Sequence, residues 1–201
     1  MKAITDDAAG IVEAALSLHQ RGYAPGNSGN LSVRVDDSVI VTPTGSSLGR
    51  LDADSLAVVS LSGEHLSGPP PSKETGIHLA MYRSDPTSMA VVHLHSLGAA
   101  AASCLPVEDP HSIFAPMTAY QRLRLGNVAL AGFAMPGTSE LVHEVERVAA
   151  FSRTMLLANH GSLAARATLD DAVDSIEQLE QTAMLTLLLH GRTTSPLPSD
   201  S

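Results

Sequence analysis

The 201-residue chain lacks several features on which whole classes of protein depend. Its one cysteine, Cys104, excludes a disulfide within the chain and agrees with a reducing cytoplasm. Because Cys104 lies in the small-residue stretch AAASCL, we expect a buried thiol rather than a nucleophile. Lysine occurs only at Lys2 and Lys73 and the net charge is -9, so no basic stripe is available to bind nucleic acid.

Long apolar runs and nucleotide-binding loops are missing as well. The N-terminal segment MKAITDDAAGIVEAALSLHQRG carries acidic residues and no unbroken apolar core, so we expect neither a signal peptide nor a membrane anchor. No segment matches the G-x-x-x-x-G-K-[ST] pattern, so ATP is not an expected ligand. Charged residues make up only 16% of the chain against 44% hydrophobic residues, which favours burial of surface against further copies of the chain.

What is present is a regular mixture of helix and strand patterns. Amphipathic spacing predicts helices, the first two capped by Thr5 and Ser72, over 5–20, 72–83, 96–105, 139–151 and 168–190. Strands are predicted for the hairpin of LSVRV and VIVT and for a buried run over 89–95, whereas 106–122 is predicted to be a loop. The short connections predict a single α/β domain over 1–192, followed by a flexible tail over 193–201.

The stretch MAVVHLHSLGAA places two histidines at the end of an apolar run. His93 and His95 are two positions apart, and side chains with that spacing leave a strand on the same face. His160 ends a second apolar run, TMLLANHG. Each histidine taken alone is consistent with a hydrogen-bonded core residue. Three imidazoles on one divalent cation would instead leave a coordination position open, which is the arrangement of a catalytic site.

One carboxylate is placed to complete such a site. Glu74 lies in the helix predicted to precede the His93 strand, and because these elements should pack together, Glu74 is the candidate fourth ligand or base. His78 follows Glu74 by four residues and faces the same side of that helix. The other histidines are expected in loops or on solvent faces: His19, His65, His111, His143 and His190.

Three small-residue loops, GNSGN, TPTGSS and PSK, offer backbone N–H groups and hydroxyls with little steric bulk. Ser72 and Lys73 are predicted at a helix N-terminus, where a phosphate binds favourably. An acidic protein must bind an anion locally through such groups, so the loops together predict a phosphorylated substrate. Each loop taken alone is equally consistent with an ordinary turn.

Five segments, in this order and spanning about Ala8 to His190, resemble successive motifs of the class II aldolase/adducin family: GNSGNLSVR, VTPTGSSLG, PSKETGIHLAMY, VVHLHS and LLANHG. Within the family, TPTGSSLGRLD, PPSKE and VVHLHS are most similar to the 3-oxo-tetronate 4-phosphate decarboxylase branch. The resemblance implies a three-layer α/β/α sandwich with a largely antiparallel central sheet. It also implies a cytoplasmic homotetramer with sites at subunit interfaces.

The resemblance assigns roles to individual residues. It implies Zn²⁺, or another divalent metal such as Mn²⁺ or Co²⁺, on His93, His95 and His160, with Glu74 as ligand, base or both. Tyr120 in MTAYQRLRLG matches a tyrosine that donates a proton, often in a neighbouring subunit's site. The positions that match substrate and phosphate contacts are Gly29, Asn30, Thr44, Gly45, Ser72 and Lys73.

The chain departs from its relatives at three of these places. Ala119 precedes Tyr120 where relatives often carry proline. Lys73 stands where fuculose-phosphate aldolases have a second serine. Glu74 stands where pentulose-phosphate 4-epimerases tend to have aspartate, which disfavours epimerisation.

The implied reaction is metal-dependent decarboxylation of a 3-oxo-tetronate 4-phosphate through an enediolate. Glu74 would manage the proton on the enediolate and Tyr120 would reprotonate carbon. A retro-aldol cleavage uses the same enediolate, so the alternative is a class II aldolase acting on a ketose 1-phosphate such as fuculose phosphate. A pentulose-phosphate 4-epimerase and a non-catalytic adducin-like scaffold are further alternatives. A Schiff-base aldolase would need Lys73 as its reactive amine.

Overall fold

The computed structural model describes residues 2–198, with side chains from Asp6 onward; Met1 and residues 199–201, where the predicted domain starts and the predicted tail ends, lie outside the described residues. The strands within this range are β1 (Asn30–Val35), β2 (Ser38–Val41), β3 (Ala57–Ser60), β4 (His65–Ser67), β5 (Ala90–Leu94), β6 (Ala129–Ala131), β7 (Thr154–Leu157) and β8 (Gly161–Arg166). The helices there are α1 (Lys2–Gln20), α2 (Thr75–Ser84), α3 (Leu97–Ser103), α4 (Ala119–Leu125), α5 (Ser139–Ala149) and α6 (Leu169–Leu189).

The strands form one sheet in the order β4-β3-β2-β1-β5-β8-β7-β6. Neighbouring strands in the described part of the chain are antiparallel except for β6 and β7, which run parallel. The prediction of a largely antiparallel sheet is therefore confirmed. None of the described helices combines the length and the apolar character needed to cross a membrane.

Helices cover both faces of this sheet, so the molecule has the predicted three layers. On β1, Leu31 and Val33 face a core shared with α1, α3 and α6, whereas Ser32 between them faces α2. On β5, Val92 belongs to that first core and Val91 to a second core formed with α2 and α5. The two-residue period of the strands thus distributes side chains between two separate helix layers.

The strand that carries the first two histidines is central in the sheet. All five residues of β5 are buried, and the strand pairs with β1 on one side and β8 on the other. Its His93 lies opposite Asn30 on β1 and Leu163 on β8. A site at the end of β5 is therefore held by backbone hydrogen bonds from both sides.

Two helix starts differ from the prediction. α1 begins at Lys2, so Thr5 lies inside the helix rather than at its N-cap; lysine and alanine are good helix formers and extend the first turn. α2 begins at Thr75 rather than Ser72. Ser72 instead begins a turn ahead of the helix, in which its hydroxyl accepts from the Glu74 N–H at 3.2 Å and its carbonyl from the Thr75 N–H at 3.0 Å.

The prediction of a loop over 106–122 is wrong at its end, where α4 begins at Ala119. The Thr118 hydroxyl accepts a hydrogen bond from the Gln121 N–H at 3.1 Å and caps this helix. The Thr-x-x-Gln spacing is a helix-start signal, and it could have predicted this helix from the sequence. The expectation of a buried Cys104 is also wrong, because Cys104 lies at the C-terminal end of α3 and is exposed.

Gly29 is required by close packing at the start of β1. Its φ of +81° is in the left-handed region, and an added Cβ would lie 2.9 Å from a Leu94 methyl group and 3.0 Å from the His93 carbonyl oxygen. Gly26 in the same loop has a φ of +65°, but a Cβ added there would meet no neighbouring atom within 4 Å. Gly29 therefore lets the loop approach β5, whereas Gly26 supplies only its backbone conformation.

We predict that alanine at these two glycines has unequal effects on stability. Gly26→Ala should lower the free energy of unfolding by about 1 kcal/mol, which is the cost of a left-handed alanine. Gly29→Ala adds steric overlap with β5 and should cost about 2–4 kcal/mol in all. Urea unfolding of both variants measures the difference, and equal losses would contradict the close approach of Gly29 to β5.

Candidate metal centre and substrate cavity

The first two histidines meet at the end of β5. His93 is the fourth residue of that strand and His95 follows the strand by one residue. Their side chains leave the chain in the same direction, as the spacing predicts, and their Nε2 atoms are 2.8 Å apart.

The third histidine arrives on the turn between β7 and β8. Asn159 in this turn has a φ of +55°, and the His160 N–H donates to the Ser103 hydroxyl of α3 at 3.1 Å. The N–H of Asn159 donates to the Ser103 carbonyl at 3.0 Å. These contacts hold the turn so that His160 Nε2 lies 3.0 Å from His95 Nε2.

Glu74 approaches the three imidazoles from the N-cap position of α2. Its Oε1 lies 3.2 Å from His160 Nε2, and its Oε2 lies 3.5 Å from His93 Nε2 and 4.0 Å from His95 Nε2. One ligand atom from each of the four residues can be chosen so that all lie within 4.8 Å of one another. The structure thus brings together the four side chains in which the sequence analysis placed the metal.

The hydrogen bonds around the cluster test whether these residues suit a cation. His93 Nδ1 faces the Ser162 carbonyl at 2.8 Å, so this nitrogen must donate, and the lone pair of the neutral ring lies on Nε2, inside the cluster. Glu74 Oε1 is buried and receives no well-aligned hydrogen bond from the described residues. Three imidazole nitrogens and a carboxylate oxygen are a donor set for Zn²⁺ and similar divalent ions, so the group fits such a metal.

The electrostatics of the cluster favour the protonation states that a metal requires. Burial alone would raise the pKa of Glu74. The imidazoles of His160 and His93 have the larger opposite effect and lower the pKa below its usual range, so the carboxylate is ionised. Burial, together with His93 and His160, lowers the pKa of His95 to about 3, so this imidazole is neutral. Metal ions bind neutral imidazole and ionised carboxylate.

A buried polar network that the sequence analysis did not foresee lies behind Glu74. Asn30 Nδ2 donates to Glu74 Oε2 at 3.1 Å, and Asn30 Oδ1 lies 2.5 Å from His78 Nε2. Beyond His78, the Ser32 hydroxyl contacts His78 Nδ1 at 2.7 Å and the Tyr82 hydroxyl at 2.8 Å. The i, i+4 spacing of Glu74, His78 and Tyr82 signals this shared face, but the partners on β1 emerge only from the packing.

A cavity of about 350 Å³ opens beside the cluster. Glu74 and His95 contribute to its wall. So do all the residues matched to substrate and phosphate contacts, which are Gly29, Asn30, Thr44, Gly45, Ser72 and Lys73. The remaining lining residues belong to the predicted loops GNSGN and TPTGSS but were not matched individually: Asn27, Ser28, Pro43 and Ser46. Among the described residues that line this cavity, Lys73 is the only lysine or arginine. Residues with hydroxyl or amide groups and glycines make up most of the rest.

Tyr120 lies elsewhere in the chain. It sits in the first turn of α4, its side chain is 68% exposed, and it lines a different surface cavity with Tyr23 and Glu177. Within one chain, the structure does not bring Tyr120 to the histidine cluster.

Comparison with known proteins follows the same motifs. The family described as Class II Aldolase and Adducin N-terminal domain matches residues 9–187. The chain belongs to the class II aldolase/adducin family. It is 44% identical over 183 residues to the 3-oxo-tetronate 4-phosphate decarboxylase of Haemophilus influenzae, covering 90% of this chain and 87% of that protein.

Two further relatives are less similar in sequence to this chain. The crystal structure of YgbL from Escherichia coli matches with a TM-score of 0.94 at 39% identity, covering 98% of this chain and 96% of that one. The L-fuculose phosphate aldolase of Escherichia coli K12 is 31% identical over 193 residues, covering 94% of this chain and 85% of that protein. The resemblance inferred from the five motifs is therefore confirmed.

We predict that metal binding depends on the cluster and not on surface histidines. The purified protein should bind about one divalent ion per chain, because the four donors converge on one point. His95→Ala removes a ligand and should weaken Zn²⁺ binding at least about 100-fold. His143→Ala, at an exposed position of α5, is the matched control and should leave affinity unchanged. Equal affinity of both variants, measured by competition with a chelator, would rule out this cluster as the binding site.

Proposed function

We propose that the chain is a metal-dependent carbon–carbon lyase that decarboxylates a 3-oxo-tetronate 4-phosphate. The observation that carries the proposal is the buried His93–His95–His160–Glu74 cluster opening into a cavity rich in anion-binding groups. The greater identity to the decarboxylase than to the fuculose phosphate aldolase supports this substrate over a ketose phosphate. The single cysteine supports a cytoplasmic location.

A divalent ion such as Zn²⁺, Mn²⁺ or Co²⁺, held by the three histidines and Glu74, would supply a Lewis acid that polarises the ketone and stabilises the enediolate left by CO₂. Glu74 is ionised and its Oε1 is free of well-aligned hydrogen bonds, so this oxygen can take up or return the enediolate proton. Asn30 holds the other oxygen, which leaves Oε1 as the proton-handling atom.

The far end of the substrate is bound by groups that do not react. The Lys73 ammonium and the hydroxyls of Ser72, Thr44 and Ser46 line the cavity and suit a phosphate dianion. Binding energy from the phosphate orients the 3-oxo acid against the cluster. Ser72 and Lys73 precede the first residue of α2, so their contacts come from the turn ahead of the helix rather than from its first turn.

The alternative activity is retro-aldol cleavage of a ketose 1-phosphate such as fuculose phosphate. The cluster serves both reactions equally, because each passes through an enediolate. The presence of all four metal-ligating side chains disfavours a non-catalytic scaffold, and Glu74 in place of aspartate disfavours a pentulose-phosphate 4-epimerase.

We predict that the metal-loaded protein releases CO₂ from 3-oxo-tetronate 4-phosphate. Both this substrate and fuculose 1-phosphate should be assayed for CO₂ and aldehyde, with His95→Ala as the inactive control and His143→Ala as the active one. CO₂ from the 3-oxo acid without aldehyde from the ketose supports the decarboxylase. Aldehyde without CO₂ would replace it with the aldolase.

We further propose that the chain assembles as a homotetramer with sites at subunit interfaces, and that Tyr120 donates its proton in a neighbouring subunit's site. Large apolar side chains exposed on the single chain support this assembly, among them Leu97, Leu123 and Leu188. Exposure of Tyr120 away from its own chain's cluster supports a role for it in a neighbouring site.

We predict that two inactive variants restore activity to each other if Tyr120 acts between subunits. Tyr120→Phe removes the proton donor and should lower kcat about 100-fold or more, and His95→Ala removes a metal ligand. In oligomers refolded from an equal mixture, an intact cluster then meets an intact Tyr120 at roughly a quarter of the sites, half of one half. Recovery of about that share of wild-type activity is expected, and no recovery would place Tyr120 in its own chain's site or outside the mechanism.

A further inference from the structure

A line of buried side chains connects the sheet interior to Glu74, and its far end has no part in the proposed reaction. Ser32 and His78 are completely buried, and Tyr82 is 1% exposed. The contacts run from the Tyr82 hydroxyl to Ser32 Oγ, to His78 Nδ1, from His78 Nε2 to Asn30 Oδ1, and from Asn30 Nδ2 to Glu74 Oε2.

Two periodicities place these groups in line. Glu74, His78 and Tyr82 are spaced by four along α2 and share one face of the helix. Asn30 and Ser32 are spaced by two along β1 and share the face of the strand that meets α2. The contacts therefore alternate between strand and helix.

The hydrogen bond between Asn30 and Glu74 sets the direction of the other hydrogen bonds in the line. A carboxylate only accepts, so Asn30 must present its NH₂ group to Glu74 and its Oδ1 to His78. An amide oxygen also only accepts, so His78 must donate from Nε2. Burial lowers the pKa of His78 to about 3, so the ring is neutral and its Nδ1 accepts from the Ser32 hydroxyl. The Tyr82 hydroxyl then donates to Ser32, reaching its Oγ at 2.8 Å and its carbonyl at 3.0 Å.

The opposite direction leaves acceptors facing each other. With its proton on Nδ1, His78 would place a lone pair 2.5 Å from Asn30 Oδ1. Rotating the Asn30 amide would relieve that contact but would set Oδ1 against the Glu74 carboxylate instead, at a separation of 3.1 Å. Two hydrogen-bond acceptors that face each other in a fully buried site repel each other strongly.

We propose that His78 is a positioning residue that, in its neutral Nε2–H form, fixes the Asn30 amide and thereby makes the two oxygens of Glu74 different. Oε2 is held by Asn30, while Oε1 stays directed at the histidine cluster, 3.2 Å from His160 Nε2. Without His78, the Asn30 amide is held only through its NH₂ group, so Asn30 and the Glu74 oxygen that it binds are positioned less rigidly. The catalytic consequence rests on the proposed function, whereas the tautomer and the orientation of Glu74 do not.

The tautomer is tested without substrate or metal. Nitrogen-15 NMR of the metal-free wild-type protein, labelled at histidine, should show His78 protonated at Nε2 and bare at Nδ1, with the signal assigned by its loss in His78→Gln. Ser32→Ala removes only the donor to Nδ1, so the ring should stay protonated at Nε2, because Asn30 Oδ1 still faces that nitrogen. A wild-type ring protonated at Nδ1, or at both nitrogens near neutral pH, would overturn the proposal.

Two substitutions of similar size then separate hydrogen bonding from packing. The amide of His78→Gln can donate to Asn30 and accept from Ser32, so Zn²⁺ affinity and kcat should stay within about 5-fold of wild type. His78→Leu fills the space without either bond, so Zn²⁺ affinity should fall about 10–100-fold. Its kcat should fall about 100-fold with little change in KM, because His78 hydrogen-bonds to none of the four side chains proposed to bind the phosphate.

The outcomes distinguish this proposal from the proposed function. If His78→Leu keeps wild-type Zn²⁺ affinity, or if glutamine and leucine lower it equally, His78 is a packing residue only and the proposal is wrong. If the wild-type protein decarboxylates no 3-oxo acid, the proposed function fails, and the tautomer and the Zn²⁺ affinities still decide the role of His78. Should His78→Leu not fold, the NMR measurement on wild type and Ser32→Ala decides it alone.

Discussion

Electron-pair donors that face one another in a buried site are the constraint on which the rest of this structure depends. The Nε2 atoms of His93, His95 and His160 are separated by 2.8 and 3.0 Å along the line through His95. His93 has its ring proton committed to a backbone carbonyl on the outer side. Positive charge at the centre stabilises such a group, because facing lone pairs and a carboxylate repel each other at low dielectric. The fold must therefore hold mutually repelling side chains in place until a cation joins them.

The fold meets this requirement by anchoring each ligand on the side away from the cluster. His93 is fixed by the pairing of β5 with its two neighbours, and the turn of His160 by Ser103. The residue after His95, Ser96, donates to Glu180 of α6 at 2.6 Å, and the same carboxylate accepts the N–H groups of Gly98 and Ala99 at 2.7 Å. A carboxylate at the N-terminus of α3 is favoured by the helix dipole, so α6 secures the end of β5 from behind.

Most of the metal centre could be predicted because it follows from short spacings. The two-residue interval of His93 and His95 determines a shared face on any strand, and no tertiary knowledge is needed for that step. Glu74 and His160 were harder, since their placement depended on which elements pack together: the helix of Glu74 against the His93 strand, and a second buried strand that ends at His160. The α/β class followed from the helix and strand patterns and the three layers from the resemblance, whereas the start of α2 did not, because Lys73 and Glu74 form a turn between Ser72 and the first helical residue.

The remainder could not be predicted because it depends on which elements pack together. Ser32 reads as one polar position in an alternating strand, and nothing local indicates that it meets His78 and Tyr82. That contact requires α2 to lie over β1, some forty residues away along the chain. Tyr120 was matched to a catalytic position by its motif alone, and in the packed chain it is exposed and lines a different cavity.

The position of positive charge in the cavity bears on which carbon–carbon bond is cleaved. A cation paired with the carboxylate that departs as CO₂ would stabilise the ground state more than the transition state and would slow decarboxylation. Lys73 is thus better suited to bind the phosphate. The phosphate keeps its charge throughout the reaction, so a cation beside it stabilises the ground state and the transition state equally. The reacting carboxylate would then lie away from the Lys73 ammonium, and no other lysine or arginine among the described lining residues stabilises it in the ground state. A ketose phosphate loses no carboxylate, so this placement of Lys73 matters for a decarboxylation and not for an aldol cleavage.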